Sequence, residues 1–189
     1  MTTKHKSVRT LAATLITIGI LAGGANAAVT INLWQDGLNV RGQAAGTLNV
    51  TGMLFQGTFA VLSDFRIQPN DPEVLFFGPG DLYRGIVSFP DFGTGTLNTS
   101  GTSTGDHFGF EGANLVVPSG FVWGSSIFSE GVFLNASLAS LGASLGSYVY
   151  TLPNDTINLV VGSAPIPEPS SALLVGLSTL CLVAHRRKK

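Results

Sequence analysis

Glycine interrupts residues 28–164 twenty times, and between the interruptions apolar residues recur at every second position over short runs, which leaves no room for a long amphipathic helix. The pattern fits short strands, each with one face to bury. Val29, Ile31 and Leu33 alternate with Thr30 and Asn32, Leu38 and Val40 with Asn39 and Arg41, and Leu48 and Val50 with Asn49 and Thr51. Further strands are expected over 59–68, 73–77, 82–89, 108–117, 120–123, 126–134, 147–152 and 156–161. Turn residues punctuate them at Asp36 and Gly37, at 69–72 and at 78–81. One helical turn or two is expected over 136–141, with Asn135 as N-cap, Leu138 and Leu141 on one face and Gly142 closing it. The stretch 93–105 is made almost wholly of Gly, Thr, Ser and Asn and reads as a long loop or a frayed edge hairpin. The fold class is therefore all-β, a β-sandwich or jelly-roll-like domain.

Charge narrows the partners. Between residues 28 and 164 the only cations besides histidine are Arg41, Arg66 and Arg84, against seven aspartates and Glu73, Glu111 and Glu130. A body seven charges negative has no electrostatic footprint for nucleic acid, whose phosphates must be neutralised for tight binding. The one cysteine, Cys181, lies far from this segment in an apolar run, so the body holds no disulfide, no thiolate metal site and no thiol nucleophile.

The two ends carry different information. Lys4, Lys6 and Arg9 precede an apolar stretch over 11–22, and Ala25 and Ala27 stand before Ala28. This is the layout of a secretory signal peptide over 1–27, with small residues where a signal peptidase needs them and Ala28 as the first mature residue. At the other end, an apolar run over 172–184 is followed by His185, Arg186, Arg187, Lys188 and Lys189. A helix over about 170–184 would be ~22 Å long at 1.5 Å per residue, short of the ~30 Å hydrocarbon core. Snorkelling of the flanking arginines and thinning of the bilayer close that gap. The basic cluster holds its end in the cytoplasm and the body on the far side, in agreement with the N-terminal signal.

Pro167, Glu168 and Pro169, then Ser170 and Ser171, the short apolar helix and the basic cluster Arg186, Arg187, Lys188 and Lys189 together resemble the PEP-CTERM sorting signal of Gram-negative bacteria. The resemblance implies that an exosortase, an integral-membrane transpeptidase-like enzyme, recognises Pro167, Glu168 and Pro169 and removes or transfers the tail. It also implies an association with exopolysaccharide and biofilm. The segments 110–120, 138–142 and 147–151 are similar to a common group of such proteins that has no assigned biochemical activity. The domain organisation expected is a signal peptide over 1–27, a secreted β-rich domain over 28–164 and a sorting signal over 165–189.

Several motifs imitate chemistry. Gly101, Ser103 and Gly105, and again Gly142, Ser144 and Gly146, spell the G-x-S-x-G of a hydrolase nucleophile elbow. That mechanism needs a base downstream of the serine and an acid, and His107 is the only histidine of the body, four residues after Ser103 and before Ser144. Asp91, Phe92 and Gly93 spell the kinase D-F-G, yet the body has no lysine to hold phosphates. Asp64, Asp71, Glu73 and Asp81 lie in or near turns, where a structural Ca²⁺ is the weaker alternative to plain surface acids. The arginines are expected to lay their stems on the surface and pair with nearby aspartates. Trp34, Trp123, Tyr83, Tyr148 and Tyr150 are expected mainly in the core, a sugar-stacking platform being the alternative.

No catalytic set, cofactor or metal is expected. The sequence reads as an exported surface or matrix protein of structural or interaction type. It would be delivered by a signal that signal peptidase removes, held briefly in the inner membrane by its C-terminal helix, and processed by an exosortase to reach the cell surface or extracellular matrix. The alternative is a carbohydrate-binding module acting on exopolysaccharide.

Overall fold

The computed structural model describes residues 28–60 and 64–165. Alternation builds its first hairpin. β1 (Ala28–Asp36) buries Val29, Ile31 and Leu33, turns at Gly37 and Leu38, and returns as β2 (Asn39–Thr47), which buries Val40, Gly42 and Ala44. β3 (Leu54–Ala60), β4 (Asp64–Gln68), β5 (Glu73–Phe76), β6 (Pro79–Arg84), β7 (Asn98–Gly105), β8 (Phe108–Glu111), β9 (Asn114–Pro118), β10 (Ser126–Phe133), β11 (Gly146–Thr151) and β12 (Thr156–Val161) follow. All twelve strands join one sheet in the order β11-β12-β1-β2-β10-β7-β4-β5-β8-β9-β6-β3. Only β1 and β12 run parallel; the other neighbours are antiparallel. The all-β class is as expected, realised as a single sheet that curls on itself.

The curl brings the two halves of the sheet together over one core. Phe110 of β8 meets Tyr150 of β11 with ring centroids 4.0 Å apart, although seven strands lie between them in the ladder. Phe65 of β4 stacks on Phe76 at 4.6 Å and leans on Phe133 of β10 at 4.8 Å. Its ring lies directly over Gly42 and Gly131, which are register partners on β2 and β10. A Cβ on either glycine would stand 2.5 Å from a ring carbon of Phe65, so neither strand can carry a side chain there. Near the two edges, the chain after β6 closes on β11 through an isolated bridge between Ser88 and Thr151.

Several expected elements are corrected. The strand expected over 59–68 is two strands, β3 at the sheet edge and β4 in its middle. That over 108–117 is the hairpin of β8 and β9, because Gly112 takes the left-handed conformation a tight turn requires (φ 51°). Residues 120–123 form turns rather than a strand, and Leu48 and Val50 lie in irregular chain with Leu48 buried. The stretch 98–105, expected within a loop or edge hairpin, is an interior strand between β10 and β4. Its smallness suits it to the bend, where Gly101 lies against the Phe65 backbone and Phe133, and ladder hydrogen bonds replace the missing apolar face.

The element over 136–141 is a single turn, the shorter of the two lengths expected, with Leu141 N–H bonding the Ser137 carbonyl. Ser137 and Ser140 exchange backbone-to-hydroxyl bonds of 2.9 Å, so the capping residue is Ser137 and not Asn135. Gly142 (φ 67°) closes it as expected, with Gly142 N–H bonding Ala139 and Ala143 N–H bonding Leu138. Among the described residues no helix is long and apolar enough to cross a membrane.

Gly131→Ala is expected to destabilise the fold by roughly 1–3 kcal/mol through overpacking against Phe65. Combining it with Phe65→Leu should cost less than the sum of the single changes, since the smaller side chain vacates the clash. Urea denaturation of the four proteins measures that coupling, and strict additivity would show that the ring does not rest on the glycines.

Candidate functional site

Strand alternation gives the sheet an outer face as well as a core face, and the outer face is where polar side chains gather. On β1 the outward residues are Thr30, Asn32 and Trp34. Register places Asn32 beside Gln43 of β2 and Gln43 beside Glu130 of β10. The Gln43 amide donates to Glu130 at 3.1 Å. One row along, Trp34 stands beside Arg41, whose guanidinium is held by Asp36. One row the other way, Thr30 stands beside Ala45, and Ala45 beside the half-exposed Phe128. Together Thr30, Asn32, Trp34, Arg41, Gln43 and Glu130 line an open groove of about 880 Å³. Ala164 and Pro165, which follow the last strand, lie at its side.

A second polar cluster occupies the outer face of the other half-sheet. Leu75, Phe77 and Val116 are buried there under Leu82, forming a small satellite core. Arg66 lays its guanidinium 4.4 Å over the Phe77 ring and reaches Asp64 at 4.0 Å. Glu73 on β5 sits directly across the ladder from Glu111 on β8 and is buried. Burial, and then the like charge of Glu111, push the Glu73 carboxyl up to about 7; Arg66 acts in the opposite direction and Asp71 adds slightly. His107 is buried against Phe77, with ring centroids 5.7 Å apart. Burial pushes it below its ordinary value, while a hydrogen bond with the Pro79 backbone opposes the shift. Both groups therefore favour their uncharged forms. A 230 Å³ pocket lies among Arg66, Phe77, His107, Glu111 and Asn114.

The motifs that imitate chemistry resolve into structure. The Ser103 hydroxyl donates to the Asp64 carbonyl at 2.9 Å and accepts from Phe77 N–H at 3.0 Å, tying β7 to the β4–β5 hairpin. Ser144 is exposed, and its backbone joins it to Phe92 and to the Tyr148 hydroxyl. Phe92 of the D-F-G triplet is a core side chain. The acids considered for calcium are dispersed. Asp81 accepts from Thr58, Ser119 and the Gly120 backbone, Asp64 faces Arg66, and among the described residues no three His, Cys, Asp or Glu side chains converge as a metal set.

The aromatics divide. Tyr150 is fully buried, as expected, and its hydroxyl donates to the Pro90 carbonyl, while Tyr83 and Tyr148 pack on the core edge. Trp34 faces the groove, and Trp123 is 66% exposed in a turn. Arg41 and Arg66 pair with aspartates as expected, and Arg84 is exposed. Of the expected processing residues, Ala28 opens β1. Ala25, Ala27, Pro167, Glu168, Pro169, Arg186, Arg187, Lys188 and Lys189 lie outside the described residues, as do the signal peptide and the apolar C-terminal segment.

Compared with protein-family models, curated proteins and solved structures, the chain matches none.

The buried carboxyl sets a pH dependence. The folded chain keeps a proton on Glu73 that the unfolded chain releases near pH 4.5. The stability from this site is therefore complete below about pH 4.5 and lost as pH rises through about 7. His107 works in the other direction: its contribution is present above its ordinary 6.5 and lost as pH falls through the lowered value. Glu73→Gln removes the first effect alone. Its melting temperature is expected to match the parent at pH 4 and to exceed it by about 5 °C at pH 8.5. Equal melting curves at both pH values would refute the buried-carboxyl account.

Proposed function

We propose that the chain is an exported surface or matrix protein of structural or interaction type, with no catalytic role. Signal peptidase removes 1–27. The apolar segment over about 170–184 then holds the chain in the inner membrane with Arg186, Arg187, Lys188 and Lys189 on the cytoplasmic side. An exosortase acts at Pro167, Glu168 and Pro169, and the domain joins the cell surface or extracellular matrix. The observation that carries this reading is the order of four parts at the C-terminus: a Pro-Glu-Pro site, two serines, a short apolar run and a terminal basic cluster.

The fold is compatible with both processing events. Ala28, the first residue after the expected cleavage point, is also the first residue of β1, so cleavage there leaves the sheet whole. The last strand ends at Val161, and Gly162, Ser163, Ala164 and Pro165 lead out of the domain, a short extended spacer ahead of the cleavage site. A sandwich-like, jelly-roll reading of the curled sheet belongs to the same proposal. The carbohydrate-binding alternative is favoured by the groove that Trp34 lines.

Deleting 167–189 should move the protein from the membrane fraction to the soluble periplasmic fraction. Persistence in the membrane would refute the anchor. In a cell that has the exosortase, mass spectrometry of the surface form should find no peptide from 173–189, and recovery of such a peptide would indicate a plain anchor. Moderate salt alone should leave the protein in the extracellular polymer, since screening acts on charges and the body carries few. Release by salt would point to ionic attachment.

A further inference from the structure

We propose that the outer face of β1, β2 and β10 binds an extended, uncharged polysaccharide chain, with Trp34 as the stacking residue and Asn32, Gln43 and Thr30 as hydrogen-bonding residues. This deepens, and rests on, the reading of the domain as a surface or matrix component.

The geometry of the sheet defines what such a ligand can touch. β1 is bonded to β12 and β2, and β2 to β1 and β10, so the backbone groups of these strands are engaged in ladders. A peptide seeking strand addition finds no free edge on this face. What the face offers is side chains alone. Two carboxamides and a hydroxyl, each able to donate and accept, stand among small residues such as Ala28 and Ala45. Sugar hydroxyls have the same dual capacity. The indole of Trp34 supplies an apolar plane with a polar tip, a match for a sugar ring whose faces carry C–H groups and whose rim carries hydroxyls.

Charge selects among glycans. Arg41 is paired with Asp36 and Glu130 accepts from Gln43, which leaves the face one charge negative and without a cation to hold phosphate, sulfate or uronate. A polyanion is repelled, and an uncharged chain is not. Size points to a chain rather than a single sugar. The groove's 880 Å³ lies at the upper end of small-ligand sites, and Phe128, half-exposed on the same face, stands four residues and two strands from Trp34 by register. Strand and residue spacing put these two aromatics roughly 16 Å apart, with the amides between them.

Full-length protein run on native gels cast with hydroxyethylcellulose, galactomannan or dextran tests the proposal, with alginate as the polyanion control. At least one uncharged polymer should retard the protein, and Trp34→Ala should weaken that retardation at least tenfold while Trp123→Ala leaves it unchanged. Gln43→Ala, at a half-exposed position, should weaken it several-fold and serves as the second variant where Trp34→Ala lowers the melting temperature. Retardation by alginate alone, by none of the polymers, or equally in the Trp34 and Trp123 variants overturns the proposal, as does a dimer in solution that Trp34→Ala dissociates. Cell fractionation separates this site from the wider reading. A surface-localised chain that no uncharged polymer retards removes the glycan site alone, and a chain that is retarded but stays in the cytoplasm removes the localisation alone.

Discussion

The curled sheet depends on one aromatic ring being allowed to approach backbone. Phe65 projects from β4 onto a two-residue gap made by Gly42 and Gly131, and it arrives there already stacked on Phe76 and touching Phe133. A twelve-stranded sheet left open would expose one apolar face along its whole length. Folding β4 over β2 and β10 closes it, and dense contact across the fold is what burial of large aromatics supplies. The bend that permits this closure runs through β7, whose only buried residue is Gly101. The strand that looks least like a strand is thus the one that lets the others form a core.

How much of this could be read from residues depended on how local the deciding interaction was. β1, β10 and β12 were legible because alternation is a property of neighbours along the chain: Ile157, Leu159 and Val161 point inward for the same reason they alternate. β7 was not, since the ladder partners that order it come from β10 and β4, distant in sequence. The 108–117 hairpin was missed although Glu111, Gly112, Ala113 and Asn114 interrupt its apolar residues, because only the left-handed backbone at Gly112 turns that interruption into a reversal of the chain. The groove sat between these cases. Thr30 and Asn32 are outward by simple alternation, Trp34, expected in the core, follows them outward because it shares their parity on β1, and Gln43 and Glu130 join only through register across three strands. Likewise nothing in the sequence sets Glu73 opposite Glu111, a pairing made by two separate hairpins.

The two halves of the sheet use polar residues in opposite ways. On β5 and just ahead of β8, Glu73 and His107 are buried beside Leu75, Phe77 and Val116 and favour their uncharged forms, while Arg66 of β4 lies over the Phe77 ring. On β1, β2 and β10 the polar residues stand in an open groove, where Arg41 is paired with Asp36 and Glu130 accepts from the Gln43 amide. One face gathers its polar groups around a small pocket, and the other spreads them along an open groove.

The parallel pairing of the first and last strands sets how the domain bears load. β12 lies between β11 and β1, matched along 156–161 with both, and Gly162 N–H adds a further bond to Leu33. A pull applied at Pro165 along the strand direction would strain those bonds in shear, all together, where a pull at right angles would open them singly from one end. The chain also enters the sheet at Ala28 and leaves it after Val161, at opposite ends of adjacent strands. A domain held by its C-terminal side while flow or a moving polymer drags on its groove would be loaded through β12, and the strand taking the force is gripped on both sides.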